Sequence, residues 1–263
     1  MRPHLETVEV GDLEFRLRIT GPRSRLGKHS THTTAPPPTI VFVHGIGMSH
    51  RSFIRVGARL ARSYRTVTVD LPGFGGTRSP RRPLGVEGHA AALAAALERL
   101  DIRAAAVVGQ SMGVQFAVEL ARTRPALAGS VVLIGPVVDD RRPSMARQLG
   151  ALLRDTLVES PRMNAVVMAD YVRSMPQYLR ELRPMHDYPT LDRVAELTVP
   201  VLVVRGTRDP IARHDWAVRL VGAARRGELV EPPGPHHVQE HAPDAVAAAI
   251  DAFITDPARG DCP

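Results

Sequence analysis

The stretch Ala105-Ala106-Val107-Val108-Gly109-Gln110-Ser111-Met112-Gly113 decides how this chain is interpreted, because an apolar run ends at a serine between two glycines. The apolar residues predict a strand over 105–108, and the pattern from Met112 to about Arg122 predicts a helix. The glycines let a strand and a helix approach without a clashing Cβ, and a strained turn holds the serine clear of the sheet. A five-residue match also occurs by chance, but the strand before it and the helix after it favour Ser111 as a catalytic nucleophile.

Strands and helices alternate on both sides of this turn. Apolar and β-branched runs predict strands over 5–10, 13–19, 39–43, 66–69, 105–108, 130–134, 199–204 and 227–231. Helical patterns cover 52–63, 86–100, 112–122, 214–221 and 243–254. The first two strands flank Gly11-Asp12 and form a predicted antiparallel hairpin, whereas the others alternate with helices and therefore run parallel. The fold class is α/β: a mostly parallel eight-stranded sheet flanked by helices.

A helical segment interrupts the alternation after Gly135-Pro136. Residues 137–197 contain no convincing strand pattern, and the clearest helices are 147–158 and 163–175. We predict one core domain, residues 1–136 and 198–263, with a helical cap (lid) inserted at 137–197, and a polar, proline-rich loop over 20–38. Apolar cap residues either line a substrate pocket or pack in a core, and core packing is the commoner role. The candidates for pocket lining are Met145, Leu149, Leu152, Leu153, Met163, Met168, Tyr171, Met175 and Tyr178.

A serine nucleophile needs a general base within hydrogen-bonding reach. His236 and His237 follow the last predicted strand, and either of them could reach the edge of the sheet. His44, after an earlier central strand, is a weaker candidate, because a histidine at such a turn more often bonds to its own loop. The residues alone leave the choice between His236 and His237 open.

The base in turn needs an acid to orient it. Asp209 directly follows the buried strand that ends at Val204, so it lies at the carboxyl end of a strand, where open α/β sheets build their sites. Asp139 or Asp140, shortly after the preceding strand, is a rival for the same role. Taken alone, Asp209 is better explained as an exposed turn residue; Ser111 and His236 favour the catalytic interpretation.

Five stretches, in this order, resemble the α/β-hydrolase superfamily, in particular its serine-nucleophile branch of small-molecule hydrolases with a helical cap. The stretches are 43–47 (Val-His-Gly-Ile-Gly), 70–75 (Asp-Leu-Pro-Gly-Phe-Gly), 109–113 (Gly-Gln-Ser-Met-Gly), 203–210 (Val-Val-Arg-Gly-Thr-Arg-Asp-Pro), and 234–236 (Gly-Pro-His) continuing through Pro243 to Phe253. They span nearly the whole chain outside the predicted cap. The resemblance implies the α/β-hydrolase fold and the chain order Ser, then Asp, then His for the triad.

The resemblance also assigns roles at single positions. It places the base seven residues before the proline that starts the last helix, which favours His236 over His237 as the partner of Ser111 and Asp209. It implies that the backbone N–H groups of Met112 and Ile46 form the oxyanion hole.

We expect a serine hydrolase that cleaves a carboxylic ester, thioester or lactone of a small to medium organic molecule through an acyl-enzyme on Ser111. Dehalogenases and epoxide hydrolases of this superfamily carry aspartate at the position of Ser111, so the serine argues against both. Hydrolases of ring-cleavage products usually have smaller residues than Met48-Ser49-His50 after the first His-Gly, which weakens carbon–carbon bond hydrolysis without excluding it. The same triad could also serve cyclisation or acyl transfer, and the fold could serve a low-turnover receptor.

The composition of the chain limits the classes of molecule that we expect it to bind. The net charge is +7, but the basic residues are scattered arginines with Lys28 as the only lysine, and aromatic residues are 4% of the chain. A nucleic-acid binder clusters its basic residues, so we expect a small-molecule substrate and no nucleic acid. No apolar run is long enough for a membrane span, and no residue spacing implies a metal or a cofactor. The single cysteine, Cys262, and the lack of a signal-peptide pattern lead us to expect a cytoplasmic protein.

Overall fold

A computed structural model describes residues 3–22, 38–141, 159 and 161–256. Most of the predicted loop over 20–38 lies outside the described residues, as do the predicted cap helix over 147–158, the four pocket candidates Met145, Leu149, Leu152 and Leu153, and Cys262.

Eight strands form one sheet, which confirms the predicted architecture. The strands are β1 (His4–Val10), β2 (Leu13–Thr20), β3 (Ile40–Val43), β4 (Thr66–Asp70), β5 (Ala105–Gln110), β6 (Ala128–Ile134), β7 (Val201–Val204) and β8 (Gly227–Val230). Their order across the sheet is β1-β2-β4-β3-β5-β6-β7-β8. Pairs β1–β2 and β2–β4 are antiparallel, and all other neighbours are parallel. The central position of β5 places the turn that follows it near the middle of the sheet.

The central strands are buried on both faces. In β3, Val41 and Val43 belong to the apolar core on one face of the sheet, while Ile40 and Phe42 belong to the core on the other. Successive side chains of a strand point to opposite faces, so a continuous apolar run fills two cores at once.

Helices cover both faces of the sheet. In the described ranges they are α1 (Ile54–Leu60, after a 3₁₀ turn at His50–Phe53), α2 (Gly85–Arg99), α3 (Gly113–Thr123), α4 (Pro161–Asp187), α5 (Thr190–Ala195), α6 (His214–Ala223), α7 (Val238–His241) and α8 (Pro243–Thr255). None of these helices is long and apolar enough to cross a bilayer.

Helix α4 is much longer than the helix predicted over 163–175. It continues through Pro176 and Pro184, which the sequence pattern treats as helix breakers. Tertiary contacts hold the continuation: Glu181, beyond the first proline, accepts hydrogen bonds from the backbone N–H groups of Leu84 and Gly85 at the start of α2. Helix α4 lies within the range predicted for the cap, and the division of the chain into core and cap stays a prediction.

Candidate active site

Ser111 occupies the sharp turn between β5 and α3. Its φ is 55°, in the left-handed region that non-glycine residues rarely adopt, and its N–H donates to the carbonyl of Ile134 at 2.9 Å. The flanking glycines are required by close approach, because a Cβ at Gly109 would overlap the carbonyl of Gly113 and a Cβ at Gly113 would overlap the carbonyl of Val43. The backbone is thus held in the strained form predicted from the sequence.

His236 and Asp209 form a buried pair at the carboxyl ends of neighbouring strands. Nδ1 of His236 lies 2.8 Å from Oδ2 of Asp209. The other carboxylate oxygen, Oδ1, accepts the N–H groups of Ile211 at 2.8 Å and Ala212 at 2.9 Å. Both carboxylate oxygens therefore have partners, and the direction in which the carboxylate faces the imidazole is fixed.

The rival acids lie elsewhere. Arg219 donates to Oδ1 of Asp139 at 3.1 Å and to Oδ2 of Asp140 at 2.7 Å. The hydrogen bond from Arg219 lowers the pKa of Asp140 below its ordinary value. These two carboxylates are oriented towards a guanidinium, whereas His236 pairs with Asp209.

The other two candidate histidines have different partners from His236. The backbone N–H of His237 donates to Oε1 of Glu159 at 2.9 Å, and Nδ1 of His237 lies 3.0 Å from the same oxygen. Burial alone would raise the pKa of Glu159, but the hydrogen bonds from His237 outweigh it and the pKa is lowered. Sequence reasoning missed Glu159, because nothing in its local pattern indicates a partner 78 residues away.

His44 bonds to its own surroundings, as expected. Its Nδ1 lies 2.8 Å from the carbonyl oxygen of Gly45, and its Nε2 accepts the N–H of Leu71 at 3.2 Å. The side chain is fully buried, and this burial lowers its pKa below 6.5. The neutral ring therefore supports the loop that follows β3.

Two backbone N–H groups beside Ser111 make no hydrogen bond to any residue that the structure describes. They belong to Met112, directly after the serine, and to Ile46 in the loop after β3. In the same loop, the N–H of Met48 donates to the carbonyl of Gly45 at 3.2 Å, which closes a tight turn around Ile46. Unpaired buried donors at a turn can bind a developing negative charge.

Ser111 and His236 line one cavity of about 250 Å³. Most of its wall is apolar and comes from α4 and from the loop after β3. The described lining residues are Gly45, Ile46, Met48, Gln110, Ser111, Val137, Tyr171, Tyr178, Leu179, Leu182, Met185, Ile211, His236 and His237.

The cavity corrects part of the predicted lining. Tyr171 and Tyr178 line it as predicted, but Met163 is buried away from it, and Met168 and Met175 are exposed on the outer side of α4. Leu179, Leu182 and Met185 were missed, since the prediction ended the helix before Pro176. Residues 171, 178, 182 and 185 continue one helical face, so a helix extended through the proline would have revealed them.

Helix α4 is fastened to the loop that carries Ile46. Asp170 accepts a hydrogen bond from Oγ of Ser49 at 2.6 Å and pairs with Arg51 at 2.7 Å. Ser174 Oγ lies 3.1 Å from the carbonyl oxygen of Gly47 and 2.7 Å from that of Asp170, so its single proton can be donated to either of them. The helix above the cavity and the loop beside Ser111 therefore form one hydrogen-bonded unit, which no local sequence pattern predicts.

Within the described ranges, no group of three or more His, Cys, Asp or Glu side chains is arranged to hold a metal ion.

The family described as "Alpha/beta hydrolase family" matches residues 40–249. Among curated proteins, the 2-hydroxy-6-oxononadienedioate/2-hydroxy-6-oxononatrienedioate hydrolase of Cupriavidus pinatubonensis is 26% identical over 264 residues, covering 85% of this chain and 84% of that protein. Among solved structures, a hydrolase from Pseudomonas aeruginosa has a TM-score of 0.76 at 18% identity, with 96% of this chain and 99% of that chain covered. The enol-lactonase from Burkholderia xenovorans has a TM-score of 0.72 at 20% identity, covering 95% and 100%. These structures share the fold.

Proposed function

Because this chain belongs to the alpha/beta hydrolase family, we propose that it is a serine hydrolase that cleaves a carboxylic ester, thioester or lactone of a small to medium organic molecule. One observation carries the proposal: Nδ1 of His236 lies 2.8 Å from Asp209, in a cavity that Ser111 also lines.

In the proposed reaction His236 is the general base. Asp209 accepts a hydrogen bond from the N–H at Nδ1 of His236, which leaves Nε2 free to take the proton of Ser111 as the serine oxygen attacks the acyl carbon. The negative carboxylate then stabilises the imidazolium that forms. His236 next returns the proton to the leaving alcohol or thiol, or to the ring oxygen of an opened lactone.

The N–H groups of Met112 and Ile46 are the proposed oxyanion hole. Their lack of a partner among the described residues supports this role, because such donors can bind the oxyanion without first breaking another hydrogen bond. Water, activated by the same His236, would hydrolyse the acyl-enzyme on Ser111 and restore the free serine.

The cavity favours an uncharged acyl group. No arginine or lysine is among its described lining residues, and its volume of about 250 Å³ is small for a ligand site. A carboxylate moved into such surroundings would lose its hydration without gaining a cationic partner among the described lining residues. A short ester or lactone has no such cost.

The second candidate is hydrolysis of a carbon–carbon bond with the same three residues. It is favoured by the similarity to the Cupriavidus pinatubonensis protein, whose name specifies a 2-hydroxy-6-oxo dienedioate. A dioate carries two carboxylates, so the apolar lining formed by the described residues argues against that particular substrate.

Covalent capture combined with a chain-length series tests the proposal. We expect a fluorophosphonate probe to label the wild-type protein and not Ser111→Ala, as established by peptide mass spectrometry. We expect p-nitrophenyl esters from acetate to octanoate to be cleaved, with kcat/KM reduced at least about 10³-fold by Ser111→Ala and by His236→Ala.

His237 provides the matched control, because it is the adjacent histidine and pairs with Glu159 instead of Asp209. The kcat/KM of His237→Gln should stay within about tenfold of the wild-type value, a much smaller decrease than we expect for His236→Ala. Equal slow cleavage by wild type and Ser111→Ala would refute the hydrolase proposal and favour a receptor. Rapid turnover of the dienedioate with negligible turnover of every ester would favour the second candidate.

A further inference from the structure

The outer side of α4 carries a continuous stripe of exposed apolar side chains. Met168, Val172, Met175 and Leu179 expose 65%, 68%, 40% and 61% of their surface. They are separated by four, three and four residues, so they follow one face of the helix. Single exposed apolar residues are ordinary, but a contiguous row on a helix marks a surface that contacts something apolar. We call these four residues the α4 stripe.

Arginines flank the α4 stripe. Arg162, Arg173 and Arg180 are exposed and lie eleven and seven residues apart, which places them in a row along one side of the helix. Arg183 is also exposed and lies 3.6 Å from Asp187, the exposed acid at the end of α4.

The acidic residues in the body of α4 face the other way. Asp170 and Glu181 are buried and bond to the loop after β3 and to the start of α2. The exposed side of α4 therefore combines apolar side chains with positive charge.

The α4 stripe continues into the cavity. Leu179 is exposed on the stripe and also lines the cavity that contains Ser111. Tyr171 and Tyr178, on the adjacent side of the same helix, line the cavity as well. An amphiphilic molecule lying against the stripe would thus be next to the cavity wall.

We propose that the α4 stripe and its arginine row form a docking surface for an anionic lipid bilayer. A helix with one apolar face and flanking arginines binds in the interfacial plane, with its apolar side chains among the acyl chains and its arginines at the headgroups. A second copy of this chain is a poorer occupant, because its α4 would present the same arginines and, before Asp187, no exposed carboxylate to pair with them. The surface does not depend on the chemistry of Ser111.

Vesicle binding tests this surface apart from catalysis. The full-length Ser111→Ala protein is mixed with vesicles of phosphatidylcholine alone or with phosphatidylglycerol added, and co-sedimentation gives the partition coefficient. We expect binding to the phosphatidylglycerol vesicles only. Met168→Ser combined with Val172→Ser should weaken binding about 100-fold, from the loss of two buried side chains. Arg173→Gln combined with Arg180→Gln should weaken it about 25-fold, or fivefold for each charge near the surface.

Matched controls separate the α4 surface from the overall positive charge. Arg81→Gln combined with Arg82→Gln removes two exposed charges elsewhere, and Val218→Ser removes a side chain that is 46% exposed on α6. Both controls should bind as the parent protein does.

Four results would overturn the proposal. The first is no binding to phosphatidylglycerol vesicles, and the second is equal weakening by the control variants. The third is a dimer in gel filtration with light scattering that the Met168/Val172 variant abolishes. A fall in the melting temperature of that variant without any vesicle binding would show that other parts of this chain cover the stripe, which also overturns the proposal.

Discussion

Replacing Asp209 with asparagine tests the proposed role of Asp209, because it exchanges the one oxygen that faces His236 for an NH₂ group. In the wild type, Oδ1 accepts the backbone N–H groups of Ile211 and Ala212, and Oδ2 faces Nδ1 of His236 at 2.8 Å. Asparagine would keep its carbonyl oxygen on the two N–H donors, because its amide nitrogen cannot accept a hydrogen bond. Its NH₂ group would then face Nδ1 of His236.

This orientation gives the imidazole the wrong tautomer. Nδ1 must accept a hydrogen bond from the amide NH₂ group, so the ring carries its own proton on Nε2, the atom that should receive the proton of Ser111. In the productive tautomer, the N–H at Nδ1 of His236 would face the NH₂ group of the asparagine, so two donors would oppose each other. The side chains of His236 and Asp209 are only 2% and 4% exposed, so water cannot satisfy these donors. Two unsatisfied buried donors cost roughly 2–6 kcal/mol together. The same substitution in a serine protease triad costs about 10⁴-fold in kcat, or about 5 kcal/mol. We therefore expect a decrease of about 10³ to 10⁴-fold in kcat for Asp209→Asn.

The assay is single-turnover release of p-nitrophenol from an activated ester, which reports acylation of Ser111 directly. Thermal unfolding and gel filtration establish that the variant is folded. Asp139→Asn is the matched control, because Asp139 is a buried carboxylate that bonds to Arg219. The acylation rate of Asp139→Asn should stay within about tenfold of the wild-type rate, because the charge of Asp139 does not orient His236. A folded Asp209→Asn protein that retains a tenth of the wild-type acylation rate, or a larger loss in Asp139→Asn, would refute the assignment.

Two further predictions concern stability. Glu119 is buried and accepts hydrogen bonds from Arg122 and Tyr188; burial alone would raise its pKa, but these donors lower it. Glu119→Gln should lower the free energy of urea unfolding at pH 7 by about 3 kcal/mol, whereas Glu98→Gln at an exposed position should lower it by under about 1 kcal/mol. The stability that Glu119 contributes is present above pH 4.5 and is lost as pH falls through its lowered pKa. An equal decrease in unfolding free energy for Glu119→Gln at pH 3 and at pH 7 would contradict this origin. Burial lowers the pKa of His44 below 6.5, so its contribution to stability is present above pH 6.5 and is lost as pH falls through the lowered value, with a slope of up to about 1.4 kcal/mol per pH unit. His44→Gln should flatten the dependence of the unfolding free energy on pH between 5 and 6.5, and equal slopes in both proteins would rule this out.

Local sequence patterns predict much of the secondary structure because short-range sterics and burial determine it. The run at 105–108 is apolar on both faces and the glycines at 109 and 113 avoid overlaps with backbone carbonyls, so the strand, the turn and the helix follow from short-range sterics. The alternation of such units along the chain then predicts a mostly parallel sheet. The predicted boundaries differ from those of the structure by a few residues at most in these elements.

Prediction from sequence failed where distant contacts override local propensity. Pro176 predicts the end of a helix, but α4 continues beyond it, where Glu181 accepts hydrogen bonds from the start of α2. The contact between His237 and Glu159 likewise joins segments far apart in the chain. Neither contact has a periodic or short-range signature.

By itself the sequence determined the α/β class, the eight strands and the strained turn at Ser111, because each depends on residues that are neighbours along the chain. Only the tertiary structure decided which histidine faces which carboxylate. His236 and His237 are adjacent and chemically identical, and so are Asp139 and Asp140, so local residue patterns do not distinguish the members of either pair, and only the family resemblance favoured His236. The direction of each side chain depends on how loops at the ends of separate strands pack together, and that packing brings His236 to Asp209.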